Sequence, residues 1–95
     1  MEFDKLVHQP TRLQLFAYLY SHGEASFTEL TQELGVTEGN LASHIGRMED
    51  ADCVAVEKKF VDRKPQTTYR LTDHGESIFE SHVRTLETLI DGVEE

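Results

Sequence analysis

The sequence predicts a mainly α-helical fold carrying one β-hairpin, an α+β arrangement of three helices, a hairpin and a closing helix. Three observations predict it. Two short amphipathic segments are joined by little more than Gly35 and Val36; a run rich in β-formers, residues 53–61, precedes a second at residues 67–71 across a segment containing Pro65; and helical periodicity returns from Asp73 onward. Ninety-five residues fit a single domain over 1–95, which is small for a deep enclosed active site and favours a binding module.

The elements follow in order. Pro10 suits the first turn of a helix, and Leu13, Phe16, Ala17 and Tyr20 recur after it at helical spacing, an inward stripe for the first helix. Ser26 and Glu29 have the form of a capping box for a second helix, from about Phe27 to Leu34, with Gly35 placed to end it. Thr37 caps a third helix whose inward side is Leu41, Ile45 and Met48. Helices joined this tightly form a helix-turn-helix, about residues 26–50. In the hairpin, about residues 53–72, Val54, Val56 and Phe60 share a parity that would face a core, as do Tyr69 and Leu71, and residues 62–66 form the connecting loop. Thr72 caps the last helix, about residues 73–91, in which Phe79, Val83, Leu86 and Ile90 make a narrow seam widened by Ile78 and Leu89.

Composition excludes several functions. No apolar run approaches the roughly 20 residues of a membrane-spanning helix. The amino terminus, MEFDKLVHQP, lacks the basic start and apolar stretch of a secretory signal, which places the protein in the cytoplasm. No nucleophile with its base, carboxylate pair or phosphate-binding glycine loop is apparent, so no enzyme is expected. The five histidines are dispersed and Cys53 is the lone cysteine, at the start of a β-forming run, so no metal, cofactor or disulfide is expected either.

Charge is more informative. The net charge is −9, yet residues 53–72 carry +3, with Lys58, Lys59, Arg63, Lys64 and Arg70 against Glu57 and Asp62. Residues 73–95 carry −6. The acidic excess suits solubility in concentrated salt, as in a halophile. An acidic surface repels nucleic acid, and the hairpin alone escapes that objection.

The order helix, helix, helix, hairpin, helix is that of a winged helix. The chain resembles the small MarR/ArsR-like winged-helix transcriptional regulators through PTRL at 10–13, FTEL at 27–30, VTEGNLASHI at 36–45, and KFVDRKPQTTYRLT at 59–72 followed by Gly75. These segments span nearly the whole chain. The resemblance implies a homodimer that binds double-stranded DNA, with the third helix in the major groove and the wing on an adjacent groove or backbone.

On that footing the candidate DNA-contacting residues are Thr28, Thr37, Glu38, Gly39, Asn40, Ser43, His44, Arg47, Lys59, Arg63, Lys64, Gln66, Thr68 and Arg70. With Leu41, Ile45 and Met48 inward, the opposite face of the third helix holds Gly39, Ala42, Ser43 and Gly46, small enough for close approach to the groove floor. Family members commonly carry longer polar or basic side chains there. His44 turns toward the second helix; Arg47 is the best base or phosphate candidate, with Glu49, Asp50 and Asp52 near enough to pair with it. Arg12 pairs with an acidic neighbour or touches DNA, and Lys58 points away from Lys59. The dimer interface expected is Leu13 with Phe79, Val83, Leu86, Leu89 and Ile90. A two-fold dimer would prefer an inverted repeat. The rival reading is a winged helix used for protein interaction, with little or no DNA binding, since fold alone does not separate the two uses.

Overall fold

A computed structural model describes residues 4–94, with side chains through residue 92. The outermost residues of the 1–95 span, including the start of MEFDKLVHQP, lie outside the described residues. The elements are α1 (Lys5–His8), α2 (Pro10–His22), β1 (Ala25–Ser26), α3 (Phe27–Leu34), α4 (Glu38–Asp50), β2 (Val54–Val61), β3 (Lys64–Leu71) and α5 (Asp73–Glu94). The strands form one antiparallel sheet in the order β1-β3-β2. Among the described residues no helix is long and apolar enough to cross a membrane.

Two elements are additional to the sequence reading. Helix α1 is one turn, capped by Asp4, whose carboxylate accepts from Leu6 N and Val7 N; it drives Val7 fully into the core. Four residues are too few to display a period. Strand β1 is two residues long and pairs Ala25 with Tyr69 and Ser26 with Thr68. Ser26 is thus both strand and helix cap.

Helix α2 starts at Pro10 as expected, but its buried stripe is Arg12, Leu15, Phe16 and Leu19. Leu13 and Ala17 are half-buried and Tyr20 is exposed, so the inward phase is one position away from Leu13, Phe16, Ala17 and Tyr20. Apolar residues nearly encircle this helix, so more than one phase fits an i, i+3, i+4 pattern. Helices α3 and α4 match the expected bounds. Ser26 Oγ accepts from Glu29 N at 3.0 Å, Gly35 closes α3 with φ 64°, and Thr37 Oγ1 accepts from Asn40 N at 3.1 Å. The return half of the capping box is absent, because the Glu29 carboxylate instead accepts the Tyr18 hydroxyl and ties α2 to α3. That bond pushes the Tyr18 pKa up to about 12.

The hairpin is longer and its turn tighter than residues 62–66. Asp62 and Arg63 have φ 52° and 67°, the two left-handed residues of a type I′ turn, and the ladder runs from Val61↔Lys64 to Val54↔Leu71. Pro65 is tolerated inside β3 because β1 reaches only Thr68 and Tyr69. Strand alternation turns the proline nitrogen to that open edge. Val54, Tyr69 and Leu71 are buried, but Val56 and Phe60, expected in the core, are exposed because the ribbon projects beyond the helices.

Thr72 joins the sheet to α5. Its hydroxyl donates to Asp52 O at 2.6 Å and accepts from Gly75 N at 3.0 Å. A Cβ at Gly75 would stand 2.1 Å from Cys53 O, so glycine is required for this helix start to lie on the chain. Cys53 is fully buried, and burial raises its thiol pKa, which makes it a small core hydrophobe. Phe79 is buried and stacks on Phe16 with centroids 6.1 Å apart.

Candidate nucleic-acid interface

Burying Leu41, Ile45 and Met48 turns the other side of α4 outward. Glu38, Gly39, Asn40, Ala42, Ser43 and Arg47 are exposed and Gly46 is half-buried; nothing lies within 4 Å of a Cβ built at either glycine. The helix therefore presents a shallow strip edged by short polar groups and one arginine. Thr37, also exposed, holds the amino-terminal end with its hydroxyl. Arg47 makes no ion pair with Glu49, Asp50 or Asp52 among the described residues, contrary to the pairing that sequence proximity suggested.

His44 turns toward α2, not toward α3. Its Nδ1 lies 3.0 Å from Arg12 Nη1, and a guanidinium can only donate, so Nδ1 accepts and the neutral ring carries its proton on Nε2. Arg12, 9% exposed, has no acidic partner among the described residues and no free face for DNA. Its Nε donates to Leu6 O at 2.7 Å and Nη2 to Lys5 O at 3.5 Å, so one side chain ties α1, α2 and α4 together. Burial, then the Arg12 and Arg47 charges, pull the His44 pKa down. Burial and the Arg47 charge lower that of Arg12.

On the ribbon, cross-strand partners share a face. One face carries Val54, Val56, Lys58 and Phe60 with Leu71, Tyr69, Thr67 and Pro65; the other carries Lys59 and Val61 with Arg70, Thr68, Gln66 and Lys64. Lys58, Arg63, Lys64 and Arg70 are exposed. Lys59 is half-buried and paired with Glu24 at 3.3 Å, an exchangeable surface bridge. Thr68, a candidate contact from sequence, is 6% exposed, and its hydroxyl donates to Glu57 O. It is buried beside its β1 partner Ser26, so it is not a surface group. Between the ribbon and the start of α3 runs an open groove of about 470 Å³ lined by Thr28, Lys64, Gln66 and Thr67 among others. It brings the exposed Thr28 close to the ribbon's basic tip.

Of the expected dimer residues, Phe79 serves its own core, and Leu13 and Val83 are half-buried against that core. Leu86 is half-buried, while Leu89 and Ile90 are 44% and 58% exposed along the outer part of α5. The fold also joins two histidines far apart in sequence. His8 Nδ1 and the buried His82 Nε2 are 3.3 Å apart, linking α1 to α5. A four-residue helix left no periodic signal from which to foresee that pair.

The family model described as Winged helix DNA-binding domain matches residues 11–90. The chain belongs to that family. As a winged helix DNA-binding domain protein it is similar to the transcriptional regulator homologue from Pyrococcus horikoshii OT3, with 31% identity and a TM-score of 0.87, covering 95% of this chain and 89% of that one. An uncharacterised protein of Methanocaldococcus jannaschii is 24% identical over 95% of this chain and 98% of its own length. YusO from Bacillus subtilis shares the fold at TM-score 0.83 and 22% identity, with 94% of this chain matched to 62% of that one. NadR, solved in complex with 4-hydroxyphenylacetate, does so at 0.75 and 19%, with 94% matched to 65%. The winged helix thus spans less than two thirds of those two longer chains. The winged-helix reading holds, and the protein is a DNA-binding regulator, not an enzyme.

Proposed function

We propose that the protein is a cytoplasmic homodimer that binds double-stranded DNA sequence-specifically, with α4 in the major groove and the wing on an adjacent groove or the backbone. The observation that carries this reading is the exposure of Lys58, Arg63, Lys64 and Arg70 on a ribbon that projects from an otherwise acidic body. Phosphate neutralisation supplies most non-specific affinity, and this ribbon is where the chain supplies it. On α4 the contacts are Thr37, Glu38, Gly39, Asn40, Ser43 and Arg47. The strip of Gly39, Ala42, Ser43 and Gly46 brings the helix axis near the groove floor, and Arg47 serves as the base or phosphate donor. Thr28 beside Lys64 in the groove at α3 is the seat for a backbone phosphate, with Gln66 on its wall. Lys59 joins by exchanging Glu24 for phosphate, and Arg70 strengthens the field. Thr68 leaves the set because it is buried, and His44 because it is held by Arg12.

Dimerisation through Leu86, Leu89 and Ile90, with Leu13 and Val83 at the margin, sets two α4 helices about 34 Å apart, one duplex turn, and so favours an inverted repeat. Hydroxyl-radical footprinting on a duplex selected from a random pool tests this. Two protected half-sites one turn apart, each flanked by wing protection, are expected. Light scattering that found only monomer at micromolar concentration would remove the inverted repeat.

The net charge of −9 favours a second reading, a winged helix that docks a protein on the small face of α4. Failure of the selection to enrich any duplex, with partner capture abolished by a bulky residue at Ser43, would favour that reading.

A further inference from the structure

Phe60 is 77% exposed, the most exposed of the large apolar side chains among the described residues, and stands two residues before the turn at Asp62. Its cross-strand partner is Pro65, also exposed. Val56, 39% exposed, and Lys58 lie on the same face, which continues outward from the buried Val54, Tyr69 and Leu71. The wing therefore ends in an apolar pair on one face, Lys64 and Val61 on the other, and Arg63 at the tip. A bare phenylalanine on a solvated ribbon contributes nothing to the core. Its neighbours specify a partner that is anionic and also offers apolar surface in a narrow slot.

The duplex minor groove has both properties. Phosphates line its rims, base and sugar edges form its floor, and its width of about 6 Å admits side chains that project from the end of a ribbon. Proteins that enter it commonly insert an apolar side chain between base steps. We propose that Phe60, stiffened by Pro65, is such a wedge: it enters the minor groove beside Arg63 and partly unstacks one base step. This rests on the DNA-binding reading of the wing. A consequence is specificity without a hydrogen bond, because pyrimidine–purine steps unstack most readily and the operator would carry one at the wing position.

The test uses a duplex selected from a random pool, with 2-aminopurine at the pyrimidine–purine step under the wing, and compares wild type with Phe60→Ala, Phe60→Leu, and Arg63→Ala combined with Lys64→Ala. Since Phe60 lies outside the core, Phe60→Ala should melt with wild type. Wild type should raise 2-aminopurine fluorescence. Phe60→Ala should bind about tenfold more weakly with no rise and an unchanged salt dependence, because a stacking contact is lost and no phosphate contact is. Phe60→Leu should keep most of both signals. A Phe60→Ala protein that binds and brightens the probe like wild type overturns the wedge and leaves DNA binding by the wing intact. Weaker binding with the rise preserved also overturns it. If wild type and the Arg63/Lys64 variant alike fail to bind duplex, the DNA reading falls together with the wedge. Retention on phosphatidylserine vesicles that Phe60→Ala abolishes, without effect on duplex, assigns the ring to a membrane surface instead.

Discussion

Arg12 carries a buried positive charge whose partners are two backbone carbonyls and an imidazole. Removing it strands Leu6 O and Lys5 O under α1 and leaves a space between three helices. Arg12→Met should therefore destabilise by about 3 kcal/mol, and Arg12→Lys by nearly as much, because an ammonium cannot reproduce the fork. Urea unfolding reads this directly; a lysine variant within about 0.5 kcal/mol of wild type would refute the clamp. His44 and His82 make stability depend on pH. Burial is the leading cause in both, joined by Arg12 and Arg47 for His44 and by His8 for His82, against an opposing effect of Asp4, and each pKa falls below the ordinary 6.5. A base depressed in the folded state binds more protons when unfolded. Its contribution is complete above pH 6.5 and is lost as pH falls through the lowered folded values. Urea midpoints taken from pH 7.5 downward should fall more steeply for wild type than for His44→Gln or His82→Gln. Equal slopes would contradict this, and the comparison cancels the general relief of acidic self-repulsion. None of these pairings was legible in the sequence. Arg12 and His44 are 32 residues apart and His8 and His82 are 74 apart, distances that only the packed helices close.

The elements themselves were largely legible, because caps and breakers are local: Pro10, Ser26, Gly35, Thr37 and Thr72 each sit at a helix boundary where the sequence placed it. Misreadings arose where two signals overlapped. Helix α2 is apolar on several sides and so fits two phases, and Pro65 looked like a loop residue because its open strand edge is a tertiary fact. Parity placed Phe60 inward, since alternation does not show where a ribbon outruns its core. The turn has a further consequence for function. Arginine at φ 67° occupies a position where glycine is favoured, at a cost of about 1 kcal/mol, and a side chain kept there against that cost points to a contact beyond the fold. Arg63→Gly should leave thermal stability unchanged or slightly raised while lowering DNA affinity several-fold. A variant that binds DNA like wild type would show that Arg63 serves only the turn.

Across the whole molecule, charge is divided rather than balanced. The ribbon region carries +3 and residues 73–95 carry −6, a division that, on the proposed DNA-binding reading, would turn the wing toward phosphate and the last helix away from it. Helix α5 adds an outer stretch, with Leu89 and Ile90 exposed, that its own domain does not cover. Two-fold pairing there would carry both acidic helices to the side opposite the duplex. The most direct test of the DNA-binding account is fluorescence anisotropy of wild type and of Arg63→Ala with Lys64→Ala, titrated onto one duplex over a series of salt concentrations. Wild type should bind at low salt with affinity falling linearly in log salt, and the double variant should lose affinity with a slope shallower by about 2 per protomer. Wild-type affinity at background level in low salt, with the double variant indistinguishable from it, would contradict the account.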